Sequence, residues 1–191
     1  MKYNIEILNE SGYEQAMLGL SLSYNRPVHE MGNVARKIYK NGSHGKFLES
    51  ICLWLDITAS RDWWVQADTY RIGVTKQSGS TMHTLLKRQL TQDDFEGPIF
   101  QSTLEALNFK IKAYNWVKNG NKGDKYEGDL GTLFTQIKKN LPEGFLQRRI
   151  VCTNYKTIRH IIGQRKNHKL NEWVVFCAYL KENAKYKEFL E

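Results

Sequence analysis

The segment NYKTIRHIIGQRKNHKLNE, residues Asn154–Glu172, concentrates residue types that bind anions. It follows a strand-like run, and we predict a helix over Asn154–Gly163. Asn154 and Arg165 are eleven residues apart. At roughly 100° per residue, that separation returns to nearly the same helix face. A helix N-terminus with an amide and several cations suits a phosphate or an anionic ring system. A solvated basic helix face is the alternative interpretation.

A second polar segment reads QADTYRIGVTKQSGSTMH. Ser78, Gly79 and Ser80 can offer backbone N–H groups and hydroxyls to a phosphate, as an anion-binding nest. Gln66 and Gln77 can read the edge of a base, because an amide both donates and accepts hydrogen bonds. An ordinary polar turn is the alternative for this segment.

A third polar group precedes the apolar run Ile51–Ile57, which we predict to be a buried strand. His44 and Glu49 lie directly before that run. A carboxylate that enters a buried strand costs free energy unless it is paired. Glu49 therefore either binds a ligand or forms a salt bridge with an arginine.

Several kinds of chemistry find no support in the sequence. It has no G-x-G-x-x-G, no Walker A and no G-x-S-x-G motif. The five histidines do not pair with cysteines or carboxylates at metal-ligand spacing, so we predict no metal site. The three cysteines form no C-x-x-C pair and lie inside apolar runs. We expect buried, reduced thiols in a cytoplasmic protein.

The elements that must position these residues form an α+β pattern with a small sheet rather than alternating βαβ units. We expect a single domain over residues 1–191. A first strand lies at the N-terminus, and the polar stretch Thr75–Thr84 is predicted to be a loop. The other predicted elements are helices at Tyr13–Tyr24, His29–Tyr39, Ser60–Tyr70, Phe100–Val117, Gly131–Asn140 and Leu170–Leu190, a loop at Asn119–Gly128 and a strand at Phe145–Thr153.

The overall charge narrows the ligand classes. The formal net charge is +8, which favours polyanions or small phosphorylated ligands and leaves nucleic-acid binding open on charge alone. No run of eighteen apolar residues exists, so we expect no membrane span. The many aromatic residues argue against disorder.

Taken in order, these pieces resemble the flavin-dependent thymidylate synthases, the ThyX family. That family has a His-x-x-x-x-Glu pair, then Gln-x-x-Arg-His-Arg, then a Ser-Gly-Arg-Tyr type loop, and finally Leu-Pro, a strand and Asn-x-Arg with a second Arg nine residues on. The counterparts here are His44 with Glu49, Gln66 with Thr69-Tyr70-Arg71, Gln77 to Ser80, Leu141-Pro142, Asn154 with Lys156, and Arg165.

The chain also departs from the family pattern. Arg-His-Arg becomes Thr69-Tyr70-Arg71, so one cation and the imidazole are absent, and Ser80 stands where the loop has an Arg. Lys138 and Lys156 replace arginines, and lysine keeps the charge but loses the bidentate fork. Tyr70 can stack on a flavin but cannot copy the protonation of an imidazole. These changes mark a diverged member, a viral one being one option.

The resemblance implies an α+β fold with a small central sheet, and an enzyme that methylates dUMP at C5 to dTMP. FAD would be the cofactor, with methylenetetrahydrofolate and NADPH as co-substrates. A homotetramer would place the active sites at subunit interfaces. It implies Arg165 as the catalytic residue, and dUMP held by Gln66, Gln77, Ser78, Gly79, Ser80, Lys138 and Arg165. It implies a flavin site formed by His44, Glu49, Thr69, Tyr70, Arg71, Asn154, Lys156 and His160.

Other interpretations stay open. One is a catalytically impaired relative that binds nucleotide or has a structural role. Another is a variant that installs a different C5 modification on a deoxypyrimidine monophosphate. A basic nucleic-acid-binding protein is a third, which the resemblance disfavours. The expected location is the cytoplasm, that of the host if the protein is viral.

Overall fold

The computed structural model describes residues 3–40, 44–121 and 128–191. The strands are β1 Asn4–Ser11, β2 Cys52–Ser60, β3 Thr75–Ser78 and β4 Leu146–Asn154. The helices are α1 Tyr13–Tyr24, α2 Met31–Ile38, α3 Arg61–Ala67, α4 Thr81–Thr84, α5 Gln101–Lys118, α6 Leu130–Lys139, α7 Tyr155–Arg165 and α8 Asn171–Asn183. Short 3₁₀ turns lie at Val28–Glu30, His44–Glu49, Gln92–Asp94 and Lys187–Leu190.

The strands form one four-stranded sheet in the order β1-β2-β4-β3. The Tyr155 N–H donates to the Ile51 carbonyl at 3.1 Å, and the Arg61 N–H donates to the Phe145 carbonyl at 3.1 Å. The end of β4 therefore lies beside the start of β2, and the start of β4 beside the end of β2, so these strands are antiparallel. The predicted α+β class with a small sheet is confirmed.

Two helices, α6 and α7, begin with a side chain that caps the helix N-terminus. The Asp129 carboxylate accepts a hydrogen bond from the Thr132 N–H at 3.0 Å at the start of α6. The Asn154 side chain accepts from the Thr157 N–H at 2.9 Å at the start of α7. Each cap satisfies an N–H that the helix itself leaves without a partner. The predicted helices at 13–24, 100–117 and 131–140 agree with α1, α5 and α6 to within one residue at each end.

Two expectations about the middle of the chain are wrong. The predicted polar loop Thr75–Thr84 contains strand β3 and the short helix α4. Strand β3 has no apolar alternation, and it lies at the edge of the sheet beside β4. The helix predicted to reach Tyr70 ends at Ala67, where the Lys76 ammonium donates to the Ala67 carbonyl at 2.9 Å. Of the predicted loop Asn119–Gly128, residues 122–127 lie outside the described part.

The C-terminal helices also differ from expectation. Helix α7 begins at Tyr155, after its Asn154 cap, and continues to Arg165 rather than ending at Gly163. The predicted closing helix Leu170–Leu190 instead stops at Asn183 and is followed by a 3₁₀ turn.

A buried tyrosine explains why the closing helix stops. The Tyr155 side chain is fully buried, and its hydroxyl donates to the Glu10 carboxylate at 2.5 Å and accepts from the Tyr186 N–H at 3.1 Å. Glu10 also accepts from the Lys185 N–H at 2.9 Å. These backbone N–H groups are bound by side chains from α7 and β1 instead of by helix carbonyls. Burial, and then the hydrogen bond to Glu10, raise the pKa of Tyr155.

The chain forms two compact units, each with its own apolar core. One is built mainly from Thr58–Val65 and Ser78–Arg148, and its core lies around α5 and α6. Its members are Leu85, Leu90, Phe95, Leu107, Ile111, Ile137, Leu141 and Phe145. The other comprises Asn4–Ile57, Gln66–Gln77 and Arg149–Glu191. Its fully buried side chains include Met31, Leu48, Tyr155, Trp173 and Phe189. The single domain over residues 1–191 stays a prediction.

The cysteines are free thiols. Cys177 is buried, and burial raises its pKa to about 11, which keeps the thiol protonated and unreactive. Cys52 and Cys152 are only half-buried, so the expectation of burial is wrong for these two. In the described residues, no helix is both long and apolar enough to cross a membrane.

We expect Tyr155→Phe to lower the free energy of unfolding by about 1–3 kcal/mol, because the Tyr186 N–H loses its acceptor inside the protein. The difference in the free energy of unfolding between wild type and Tyr155→Phe should depend on pH. Above a pH near 10, the unfolded chain loses the tyrosine proton while the folded chain keeps it. Wild-type stability should therefore fall with rising pH by about 1.4 kcal/mol per unit more steeply than that of the variant.

Urea unfolding of both proteins between pH 7 and 11 measures the difference. Tyr24→Phe, at the exposed end of α1, is the matched control and should change stability by less than about 0.5 kcal/mol. Equal pH slopes for wild type and Tyr155→Phe would contradict the assignment.

Candidate functional site

A cleft of about 840 Å³ opens between the segment after α3 and the first two turns of α7. Seven of the eight residues that the sequence analysis assigns to a flavin line it: Glu49, Thr69, Tyr70, Arg71, Asn154, Lys156 and His160. Ile72, Gly73 and Thr157 complete the lining. The volume lies within the usual range for ligand pockets.

A close approach at Gly73 shapes the cleft wall. Gly73 has a φ of +68°, in the left-handed region that favours glycine. A Cβ added there would lie 2.7 Å from both Asn154 Nδ2 and Thr157 Oγ1. The Thr157 hydroxyl also donates to the Ile72 carbonyl at 3.2 Å. The turn at Ile72 and Gly73 therefore rests directly on the start of α7.

The cleft carries a net positive charge. The Lys156 ammonium lies 2.5 Å from the Glu49 carboxylate, and this hydrogen bond and charge lower the pKa of Glu49. Glu49 thus forms a salt bridge, as one interpretation predicts, but with a lysine rather than an arginine. Both side chains are almost half exposed, so the pair is weak and a ligand can compete for it. In the described parts of the chain, Arg71 has no ion-pair partner, and its guanidinium is exposed.

Arg165, at the end of α7, is held on several sides. Its Nε–H donates to the Tyr70 hydroxyl at 2.8 Å, and an Nη1–H donates to Gln66 Oε1 at 3.2 Å. The guanidinium carbon lies 5.5 Å from the ring centroid of Tyr70 and 4.9 Å from that of Trp173. We call Gln66, Tyr70, Arg165 and Trp173 the arginine clamp. Cation–π contacts and hydrogen bonds together fix the guanidinium in one orientation.

Tyr70 belongs to both the cleft and the arginine clamp. Its ring lies in the cleft lining, 6.2 Å from the His160 ring. Its hydroxyl donates to Gln164 Oε1 at 2.8 Å while it accepts from Arg165. The Trp173 indole donates to Gln66 Oε1 at 3.0 Å, so the same amide oxygen accepts from the tryptophan and the arginine. Tyr70 therefore links Arg165 to the cleft, because its ring lines the cleft and its hydroxyl binds the guanidinium.

Two salt bridges from Asp68 stabilise the segment that carries Tyr70. The Asp68 carboxylate accepts from Lys76 at 2.8 Å and from Arg149 at 3.1 Å. Burial alone would raise the pKa of Asp68, but these two hydrogen bonds outweigh burial and lower it. The two cations come from β3 and β4, so the end of α3 is fixed to both strands.

Other predicted site residues lie elsewhere. His44 lies in a separate hollow of about 420 Å³, which shares Glu49 with the cleft. Gln77 is exposed on β3. The remaining predicted dUMP ligands belong to the unit that contains α5 and α6. They are Ser78, Gly79, Ser80 and Lys138.

The predicted anion nest loses one of its donors. The Gly79 N–H donates to the Arg148 carbonyl at 2.9 Å, as part of the sheet edge, and so is not available to a phosphate. The Ser80 carbonyl accepts from the Thr84 hydroxyl at 2.8 Å at the start of α4. Lys138 is exposed, with its ammonium 5.8 Å from the Phe134 ring centroid.

Sequence reasoning gives no role to several residues of the site. Trp173 closes the arginine clamp, and Gln164 binds the Tyr70 hydroxyl. Ile72, Gly73 and Thr157 line the cleft. The glycine after YRI is the one local signal for the close approach, because a glycine inside a polar segment can mark a left-handed turn.

Comparison with solved structures identifies the fold. Two structures of the flavin-dependent thymidylate synthase ThyX from Helicobacter pylori, each with FAD and dUMP, are similar to this chain. One superposes with a TM-score of 0.73 and 11% identity over 98% of this chain and 98% of its own. The other gives a TM-score of 0.72 and 13% identity over 99% and 97%.

These comparisons confirm the predicted resemblance at the level of the fold. The low identity agrees with the divergence expected from the substituted motifs. No protein-family model matches the chain, and no curated protein sequence matches it either. Because one fold supports many functions, the activity must be argued from the site itself.

We expect Gly73→Ala to destabilise the protein by about 1–3 kcal/mol, because a left-handed backbone and a clash with Asn154 and Thr157 act together. Denaturant unfolding measures the change. Gly163→Ala, within α7, is the matched control, since its Cβ would meet no heavy atom within 4 Å. That control should be neutral or stabilising by up to about 1 kcal/mol. Equal stabilities for the two variants would contradict the close approach.

Proposed function

We propose that this chain is a flavin-dependent enzyme that methylates dUMP at C5, using methylenetetrahydrofolate and NADPH as co-substrates. The observation that carries the proposal is the gathering of seven predicted flavin residues around one cleft that adjoins Arg165. These residues come from sequence positions 49 to 160, and the order and spacing of the motifs match them to the family pattern. The shared fold of flavin-dependent thymidylate synthases supports the same conclusion.

The cleft fits a flavin dinucleotide in its chemistry. Tyr70 and Ile72 offer ring and aliphatic surface, and Gly73 leaves room for close approach to the backbone. The Oδ1 atom of Asn154 caps α7, so the Nδ2 group is left to donate into the cleft. Arg71 and Lys156 supply positive charge for a pyrophosphate. When bound and reduced by NADPH, FAD would supply the hydride that completes the new methyl group.

Arg165 would bind the pyrimidine of dUMP. The arginine clamp uses the Nε–H and one Nη1–H, which leaves further guanidinium N–H groups for the carbonyl and imide edge of a uracil. A fixed positive charge at that edge favours the negative charge that develops on the ring as C5 becomes nucleophilic. The side chains of this site would thus act by position and charge, while the cofactor carries the organic chemistry.

Exposed apolar side chains support the proposed homotetramer. Leu18 and Leu22 are one turn apart on α1, and they are 51% and 78% exposed. Phe100 and Phe109 of the other unit are 81% and 53% exposed. Exposed apolar side chains of this kind are typical of surfaces that are buried against another chain. The proposal that active sites form at subunit interfaces, with Ser80 and Lys138 as ligands of dUMP, rests on the family resemblance.

We expect purified protein to be yellow or to become so with FAD, and to release tritium from [5-³H]dUMP when methylenetetrahydrofolate and NADPH are present. Arg165→Gln should lose dUMP binding by about 100-fold or more, because a charged hydrogen-bonding group is removed, and should still bind FAD. Arg36→Gln, which breaks an exposed ion pair with Glu188, is the control and should leave both ligands unaffected.

The outcomes separate the competing interpretations. Binding of dUMP without tritium release would indicate a catalytically impaired relative. Tritium release with a product other than dTMP would indicate another C5 modification. A colourless protein with no calorimetric or spectral response to FAD and dUMP would overturn the proposal.

We expect Tyr70→Phe to weaken dUMP binding by about 5- to 30-fold, because the Arg165 Nε–H loses its acceptor while the ring remains. Calorimetric titration with dUMP measures the change. Tyr179→Phe on α8 is the matched control, since its hydroxyl makes no hydrogen bond within the described residues. Unchanged dUMP affinity in Tyr70→Phe would show that the hydroxyl does not position Arg165.

A further inference from the structure

A second hollow of about 530 Å³ runs along α7 and reaches α8 and the last residues of the chain. We call it the basic trough. Its lining includes five basic side chains, namely Lys156, Arg159, His160, Lys166 and Lys181. Glu191 is the one acidic side chain among its lining residues. No sequence motif or comparison assigns this feature a role.

The basic side chains form a row rather than a cluster around one point. Lys156, Arg159, His160 and Gly163 are spaced by three or four residues, so they share one face of α7. Lys166 follows directly after the helix. Lys156 and Lys166 are ten positions apart, which at 1.5 Å per residue corresponds to about 15 Å. The trough therefore presents separated positive charges over that length.

Most of these charges are available to a ligand. In the described chain, no carboxylate lies within ion-pair distance of Lys166 or Lys181, and both side chains are exposed. One Arg159 N–H donates to the Tyr39 carbonyl at 2.7 Å, and the guanidinium lies over the Tyr39 ring. Arg159 is thus fixed in place with its other donors still free to bind a ligand.

A glycine keeps the middle of the row open. A Cβ added at Gly163 would meet no heavy atom within 4 Å, and the residue is exposed. A ligand can therefore approach the α7 backbone between His160 and Lys166. The open centre, with charges on both sides, favours an extended ligand over a compact one.

We infer that the basic trough binds an extended small molecule with several carboxylates along one flexible chain. A single phosphate fits less well, because the basic groups do not converge and the Thr157 N–H at the start of α7 is already bound by Asn154. Nucleic acid fits less well, because the trough lining includes no Phe, Tyr or Trp on which a base could stack.

The trough adjoins the cleft, since Lys156 and His160 line both. A ligand with its ring beside the shared residues Lys156 and His160 can extend its tail along α7. Resting on the proposed function, the natural occupant is the oligoglutamyl tail of the folate co-substrate. Each γ-linked glutamate would add one carboxylate along the row of basic side chains.

Fluorescence anisotropy of a labelled γ-linked pentaglutamate, added to the intact protein without FAD or dUMP, tests the trough directly. The double variant Lys166→Glu with Lys181→Glu should weaken binding at least about tenfold, and binding should weaken with added salt. Lys112→Glu with Lys118→Glu on α5 makes the same change in net charge on exposed lysines of the other unit. That control should change affinity by less than about twofold.

Competition distinguishes the ligand classes. Glutamate monomer and inorganic phosphate should displace the pentaglutamate poorly. Displacement by phosphate or by a short single-stranded oligonucleotide at equal concentration would overturn the inference, as would equal weakening by the two double variants. Absence of pentaglutamate binding would also overturn it.

Steady-state kinetics then test the folate identity. The ratio of KM for monoglutamyl to pentaglutamyl methylenetetrahydrofolate should fall at least about fivefold in Lys166→Glu with Lys181→Glu, while kcat is unchanged. An unchanged ratio would overturn the assignment to folate. Because the anisotropy assay needs neither flavin nor turnover, failure of the proposed enzyme activity would be seen separately from failure of the trough to bind polycarboxylates.

Discussion

The arginine clamp is the constraint on which the proposed site depends. Arg165 is the last residue of α7, and a long flexible side chain at a helix end would ordinarily sample many rotamers. Two ring contacts and two hydrogen bonds restrict it instead. The residues that hold it come from α3, from the turn after α3 and from α8, so the same contacts fix how these segments pack within their unit.

The site has a threonine and a tyrosine where the resembled family pattern has an arginine and a histidine. Tyr70 stands at the position of the family's histidine, and Thr69 at that of an arginine. The Tyr70 hydroxyl both donates to Gln164 and accepts from Arg165, which an imidazole could also do with its two nitrogens. Tyr70 thus keeps Arg165 in contact with a neutral ring and hydroxyl.

The sequence predicts the helix behind the cleft better than the strand and the distant residue that complete its surroundings. Asn154 caps α7, and Lys156, His160 and Arg165 lie on it; a capping residue before a helical run is a local property of the chain. Strand β3 escapes prediction because edge pairing with β4 depends on a distant partner, and its own residues carry no apolar alternation. Trp173 escapes for a related reason, since only the packing of α8 brings an ordinary core residue against Arg165.

Lys156 and His160 form the wall between the cleft and the basic trough, and this shared wall makes the two hollows thermodynamically dependent on each other. The Lys156 ammonium can turn toward only one ligand at a time, and its pairing with Glu49 competes with both. A ligand in one hollow that releases Lys156 from Glu49 changes the affinity for a ligand in the other, and the second ligand changes the affinity for the first by the same factor. The two affinities would then be coupled through a single side chain.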